Sequence, residues 1–272
     1  MALSISHRTA YAYDPAADRA GLRLKLFPAQ TQAQAVRDWQ VTVNGDGLAP
    51  ILVNPFGDAE AMWFSNGKVT EIEVEAKGTV ELTDTSGVLG KLGFARPTVF
   101  CRETPLTEHD EALVDLANSI AADTPLGRMH SLNAAVHEAI AYRKGVTESV
   151  TTAAQSLALG AGVCQDLAHV FISAARIIGL PARYVAGYYV EEAKDLATHA
   201  WAEVYLDGLG WTGFDPTHEI SPKDRHIRLC CGLDADDAAP VRGHVMGETE
   251  ETLEIAVQIS DPDQGAQSQS QQ

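Results

Sequence analysis

What most limits how this chain can fold is a change of hydrophobic period near Pro105. Upstream of it, "LSISHRTAYAY", "GLRLKLF", "DWQVTV" and "KVTEIEVEAKGTVEL" alternate apolar and polar positions. Asn44-Gly45, Asn54-Pro55 and Asn66-Gly67 supply turn signals between most of them. A period of two sends every second side chain to one face of a pleated strand, so these segments can bury one face of an antiparallel sheet. Downstream, apolar residues recur at helical spacing. Thr107, three before Asp110, reads as a capping box opening the helix "EHDEALVDLANSIAAD". "MHSLNAAVHEAIAY", with Leu132, Val136 and Ile140 four apart, reads as a second helix, and "TTAAQSLAL" as a short third. The expected fold class is α+β: an antiparallel β-domain over residues 1–104, then a core with C-terminal strands over 105–259. The tail "SDPDQGAQSQSQQ", residues 260–272, has little to bury and is expected to be disordered.

The stretch "GAGVCQDLAHVF" places two glycines just ahead of Cys164 and then starts an apolar helix. Leu167, Val170, Phe171, Ala174, Ala175 and Ile178 form its buried stripe, and Gly179 followed by Pro181 ends it. Cys164 lies three before Leu167 and seven before Phe171, so its thiol belongs to the first turn on the inward side. "ARYVAGYYV" reads as a strand. "HAWAEVYL" alternates strictly, with His199, Trp201, Glu203 and Tyr205 on one face, and "WTGFD" follows the turn signal "DGLG".

Cysteine chemistry needs a thiolate, a base to take its proton and a third group to orient that base. Cys164, His199 and Asp215 supply those types in that order, and a helix N-terminus favours a thiolate. Register tests the arrangement. His199 and Asp215 share a sheet face only if the connection between their strands has odd length. Pairing Leu206 with Gly210, with three residues in the loop between them, sets Asp215 opposite Trp201 and diagonal to His199. The alternative reading of Cys164 is a core thiol that happens to start a helix. Trp201 and Trp211 flank this region and are the candidate substrate-binding residues, as walls of a channel.

Composition excludes several function classes. The formal net charge is −17, from 37 acidic and 20 basic side chains, with no basic stripe, so nucleic acid is not an expected partner. No stretch approaches the ~18 apolar residues of a membrane span, and "MALSISHRTAYAYD" has no apolar signal-peptide region. Cys101, Cys164, Cys230 and Cys231 fit no disulfide scaffold, which points to a reducing cytoplasm. No metal and no cofactor are expected. "HEAIA" at His137 lacks the second histidine of a zinc-protease motif, and "LDADDAAP" lacks the glycine and glutamate of a calcium loop. His169 lies on another helix face than Cys164.

"GAGVCQDLAHVFISAARIIGLPARYVAGYYV" and "HAWAEVYLDGLGWTGFDPTH" together resemble the catalytic core of the transglutaminase-like superfamily, most of all its bacterial, cysteine protease-like branch. "SHRTAYAYD" and "DRHIRLCCGLDADDAAPVRG" also resemble that branch, so the resemblance covers most of the chain. It implies a papain-like core behind an N-terminal β-domain. By residue match, it makes Cys164 the nucleophile, His199 the base and Asp215 its orienting partner. The implied reaction is acyl transfer at a peptide or carboxamide bond of a peptide or protein substrate, through a thioester. Hydrolysis, as a protease or amidase, is the favoured outcome. The alternatives are a protein-glutamine transglutaminase that cross-links to an amine, and a peptide-binding module without chemistry. The loop "VEEAKDLAT", Val190 to Thr198, is a candidate gate.

Overall fold

The computed structural model describes residues 1–190 and 197–260. Ahead of the first helix run β1 (Ala2–Ala17), β2 (Arg19–Phe27), β3 (Gln34–Val43), β4 (Asp46–Leu48), β5 (Leu52–Val53), β6 (Ala59–Phe64), β7 (Val69–Leu82) and β8 (Val88–Gly90). Then come α1 (Glu111–Ser119), α2 (Pro125–Ala139), β9 (Ala141–Tyr142), α3 (Ala153–Leu159), β10 (Ala161–Gly162) and α4 (Cys164–Ile177). The remaining strands are β11 (Ala182–Tyr189), β12 (Ala197–Leu206), β13 (Gly210–Phe214), β14 (His226–Gly232), β15 (Val241–Met246) and β16 (Glu250–Ser260).

The alternation read in the first segments does what a period of two requires. Along β1, Leu3, Ile5, His7, Thr9, Tyr11 and Tyr13 are buried while the residues that alternate with them are not. The apolar ones among them pack with Leu22, Leu24 and Leu26 of β2, Val41 and Val43 of β3, and Ile72, Val74 and Val80 of β7. The strands form one sheet in the order β16-β1-β7-β3-β4 and another in the order β15-β2-β6-β5, sharing this core. The C-terminal strands, expected with the core of residues 105–259, pair here instead. β16 lies antiparallel on β1, with Tyr11 opposite Leu253 and Thr9 opposite Ile255, and β15 lies on β2. The physical reason is the open second edge of β1, a long row of unpaired backbone groups that β16 covers.

The core sheet runs β14-β11-β12-β13-β8, so β8, from the N-terminal segment, caps its far edge. Helix α4 crosses this sheet, and its Leu167, Val170, Phe171, Ala174 and Ala175 are buried as the stripe predicts, while Ile178 at its C-cap is half-buried. Helices α1, α2 and α3 pack around α4 through Leu113, Met129, Leu132, Val136 and Ala153. Helix α1 starts later than its sequence suggests. Asp110 is the cap, accepting Leu113 N–H at 3.0 Å. Thr107 is taken up elsewhere: its buried hydroxyl accepts the Arg176 guanidinium at 2.7 Å, since a buried cation needs every acceptor within reach.

Strand β14 joins the two halves. Its Ile227, Leu229 and Cys230 enter the sandwich core, while Cys231 turns to the opposite side. Gln34 of β3 exchanges two hydrogen bonds with the Arg228 backbone, each 2.9 Å. Glu203 accepts from Arg183 at 2.6 Å and from Arg228 at 3.0 Å, and Arg228 also reaches Asp58 at 3.3 Å. Losing one member of this buried network would leave an uncompensated charge, so it ties the halves in one arrangement. The expected disorder of the tail concerns residues outside the described ones, apart from Ser260, which ends β16. Residues 191–196 of the candidate gate also lie outside them.

Candidate active site

The two glycines before Cys164 have separate reasons. Gly160 closes α3 with φ of 63°, a left-handed value that suits a residue without Cβ. At Gly162 a Cβ would lie 2.6 Å from Oδ2 of Asp166. That carboxylate needs the space, because it accepts the Val163 N–H and the Thr147 hydroxyl, each at 2.7 Å. Asp166 thereby satisfies a free amide at the start of α4 and favours the helix dipole. Cys164 becomes the first residue of α4, half-buried against the helical core.

His199 sits on β12 opposite Gly187 of β11. The β12–β13 hairpin has the expected register: Leu206 pairs with Gly210 and Ala202 with Phe214, which brings Asp215 out on the His199 side. Nε2–H of His199 donates to Oδ2 of Asp215 at 2.8 Å. Cys164 lines the same cleft as His199, close enough to act on the charge of its ring. Burial opposes charge on His199, but the interactions with Asp215 and Cys164 outweigh it and raise its pKa to about 10. Burial likewise works against the Asp215 anion. Hydrogen bonds from His199, His218 and His226 overcome it and hold the carboxyl well below the usual range.

His218 and His226 were not among the residues expected here. Nδ1 of His218 lies 2.7 Å and Nε2 of His226 3.0 Å from the same Asp215 oxygen, and Thr217 N–H donates to Oδ1 at 2.9 Å. The sequence carried a signal for His218, three residues after Asp215 in "DPTH". His226 becomes visible only once β14 is known to lie beside β11, with Tyr189 opposite His226. Side chains of His199, Asp215, His218 and His226 offer ligand atoms all within 4.8 Å of one another, a set whose chemistry suits a divalent cation.

Trp201 and Trp211, expected as channel walls, are a correction. Both are 2% exposed. Trp201 packs with Val185 and Cys231 behind the His199 ring, and the Arg183 guanidinium covers Trp211 at 3.8 Å while Phe100 meets it edge-on. The cleft over Cys164, about 380 Å³, takes its walls from other residues: Tyr11 of β1, Tyr184 and Tyr188 of β11, and Leu253 and Ile255 of β16. Among the described residues that line it there is no Asp, Glu, Lys or Arg. His169 is a structural acceptor, taking Ala235 N–H on Nε2 at 3.1 Å, and burial lowers its pKa to about 4. The acidic stretch that follows is a turn: Asp234 and Asp237 accept the N–H groups of Asp237 and Leu233. Burial pushes the Cys230 and Cys231 thiols up, Cys231 to about 11.

Comparison with known proteins agrees with this architecture. Residues 3–81 match the family described as the bacterial transglutaminase-like N-terminal region, and residues 114–216 the transglutaminase-like superfamily. ML0607 of Mycobacterium leprae is 26% identical over 286 residues, covering 95% of this chain and 98% of that protein. Rv2569c of Mycobacterium tuberculosis is 32% identical over 179 residues, covering 61% of this chain and 51% of its own length, so the match spans about half of that relative. A crystal structure from Cytophaga hutchinsonii, provisionally named a cysteine protease, superposes with a TM-score of 0.76 at 20% identity, over 96% of this chain and 90% of that one, which speaks for the fold. With an N-terminal region and a core that each match, the chain belongs to the transglutaminase-like superfamily, in its bacterial form.

Proposed function

We propose that this protein is a cysteine-nucleophile acyl-transfer enzyme that hydrolyses a peptide or carboxamide bond, with Cys164, His199 and Asp215 as its catalytic residues. The observation that carries the reading is His199, hydrogen-bonded to Asp215 and sharing one cleft with Cys164 at the start of α4. Sγ of Cys164 attacks the carbonyl carbon. The His199 imidazolium gives its proton to the departing amine as the C–N bond breaks, leaving a thioester. Water then attacks the thioester carbon while neutral His199 takes its proton. The C–S bond breaks, and the carboxylic acid leaves. Asp215 keeps the proton-bearing Nε2 on its own side, so the other ring nitrogen faces sulfur. The Cys164 backbone N–H, in the first turn of α4, supplies one oxyanion donor.

Transfer to an amine would run through the same thioester. The cleft favours water, because no carboxylate among its described lining residues is available to hold a lysine ammonium. The same uncharged lining suits a peptide with apolar residues beside the scissile bond. The four unbridged cysteines suit a reducing compartment, and we place the protein in the cytoplasm. The test incubates wild type and Cys164→Ala with fluorescent peptide libraries, with and without a labelled primary amine. Free acid product from wild type alone is the expected result. Amine-labelled product without free acid would make it a transglutaminase. Equal peptide binding by both proteins, with no product from either, would make it a binding module.

A further inference from the structure

Three histidines around one carboxylate oxygen exceed what a cysteine, a histidine and an aspartate need. A carboxylate only accepts, so each nitrogen facing Oδ2 of Asp215 carries its proton on that side. For His226 the other side of the ring gives the same answer independently. Its Nδ1 accepts the Lys223 backbone N–H at 3.2 Å, which places the lone pair on Nδ1 and the proton on Nε2. The His226 side chain is 2% exposed. Burial, only partly offset by Asp215, keeps its pKa below the ordinary imidazole value. Trp201 meets it edge-on at 5.3 Å and Tyr189 lies at 4.7 Å, so its plane is held as well.

We propose that His226 is a positioning residue for this reaction: a neutral imidazole that donates Nε2–H to Asp215 Oδ2 and holds the carboxylate in one orientation against His199. His218 supplies the second flanking donor, from the turn after Asp215. Thr217 N–H holds the other oxygen, so both carboxylate oxygens have fixed partners and the His199 ring inherits that order. The inference rests on the reading of Cys164, His199 and Asp215 as a working set.

A divalent cation is the competing occupant of the same four side chains, and two features weigh against it. A metal on Nε2 of His226 needs the lone pair there, which would turn a protonated Nδ1 against the Lys223 N–H. The separations of 2.7 to 3.0 Å from Asp215 are also hydrogen-bond lengths. Tetrahedral zinc, with bonds of ~2.0–2.1 Å, spaces its ligand atoms roughly 3.3 Å apart.

The test uses the full chain as wild type, His226→Leu and His226→Gln, with folding checked by circular dichroism and thermal melting. Nitrogen-15 spectra of the wild-type histidines are expected to show the neutral Nε2–H tautomer at His226. Iodoacetamide alkylation of Cys164, followed against pH by peptide mass spectrometry, is expected to slow about tenfold or more in His226→Leu and to recover largely in His226→Gln. A purely structural role would lower melting temperature and leave the pH profile of the folded protein unmoved. Three results would overturn the proposal: a folded His226→Leu with the wild-type rate and profile, the Nδ1–H tautomer at His226, or cobalt(II) giving a tetrahedral ligand-field spectrum that His226→Gln abolishes. If wild-type Cys164 shows no lead over Cys101, the acyl-transfer reading falls, and this inference with it.

Discussion

Replacing Asp215 by Asn keeps the shape of the side chain and removes its charge. In the native protein the His199 pKa rises from 6.5 to about 10 despite burial. At ~1.4 kcal/mol per unit, this amounts to about 5 kcal/mol in favour of the charged ring. That figure is shared between Asp215 and Cys164. If only half belongs to Asp215, its loss lowers the imidazolium population relative to neutral ring by roughly fifty-fold. Burial then meets less opposition, and the ring in Asp215→Asn is expected to be mostly neutral at pH ~9, where the wild-type ring is mostly charged. The assay is the iodoacetamide rate of Cys164 against pH, read peptide by peptide, with Cys101 as the exposed internal reference. The expected outcome is a Cys164 pH profile whose His199-dependent limb lies about one to two units below that of wild type. A folded Asp215→Asn protein whose Cys164 keeps the wild-type rate and profile would refute the reasoning, because the charge on His199 would then not depend on Asp215.

Three further outcomes are expected. His7 and His169, both held near pKa 4 by burial, stay neutral when folded, while the unfolded chain takes up protons below 6.5. Stability therefore falls as pH drops from 6.5 towards 4. His199 has the opposite sign: its contribution is complete below 6.5 and is lost as pH rises through about 10. Urea denaturation across that range should give a maximum near 6.5, and a flat curve would contradict the assignments. Phe171→Ala removes a fully buried ring stacked on Phe214 at 5.4 Å and should cost about 3–5 kcal/mol, read as a lower denaturation midpoint. Gly187→Ala would place a Cβ 2.2 Å from the Ile227 carbonyl oxygen and 2.7 Å from the Trp201 ring. It should cost about 2 kcal/mol or more by prising β11 from β14, and an unchanged melting temperature would count against that contact.

The parts of the fold that local rules govern were legible in the sequence. Strand alternation located β1, β2, β3 and β7. The period of two, with Gly210 as the hairpin partner of Leu206, is enough to put Asp215 on the side of His199. The α4 stripe picked out five of its buried residues, while Ile178 is only half-buried and Ala168, Ile172 and others are buried on further faces. Long-range pairing was not legible. Nothing local in "EETLEIAVQIS" says that its partner is β1, more than two hundred residues earlier, because any open edge of matching pattern would serve. The same blindness hid His226, which joins the site through β14. Trp201 and Trp211 misled for a related reason: residues that share a strand with the site also share it with the core, and only the covering layer, here Phe56 and Arg183, decides which.

The pairing of β16 with β1 and of β15 with β2 has a consequence for how the molecule comes into being on the ribosome. The sandwich is begun by the first strands to emerge but lacks two of its members until the end of β16 has been synthesised. In the interval the nascent chain carries β1 with one edge unpaired, and the whole helical core can form before that edge is closed. Tyr11 of β1 and Ile255 of β16, from opposite ends of this stretch, line the cleft of Cys164 together. No shorter nascent chain contains that cleft. A partly made polypeptide therefore presents the Cys164 thiol in a cleft whose Leu253 and Ile255 side is still missing, and that side arrives only with β16.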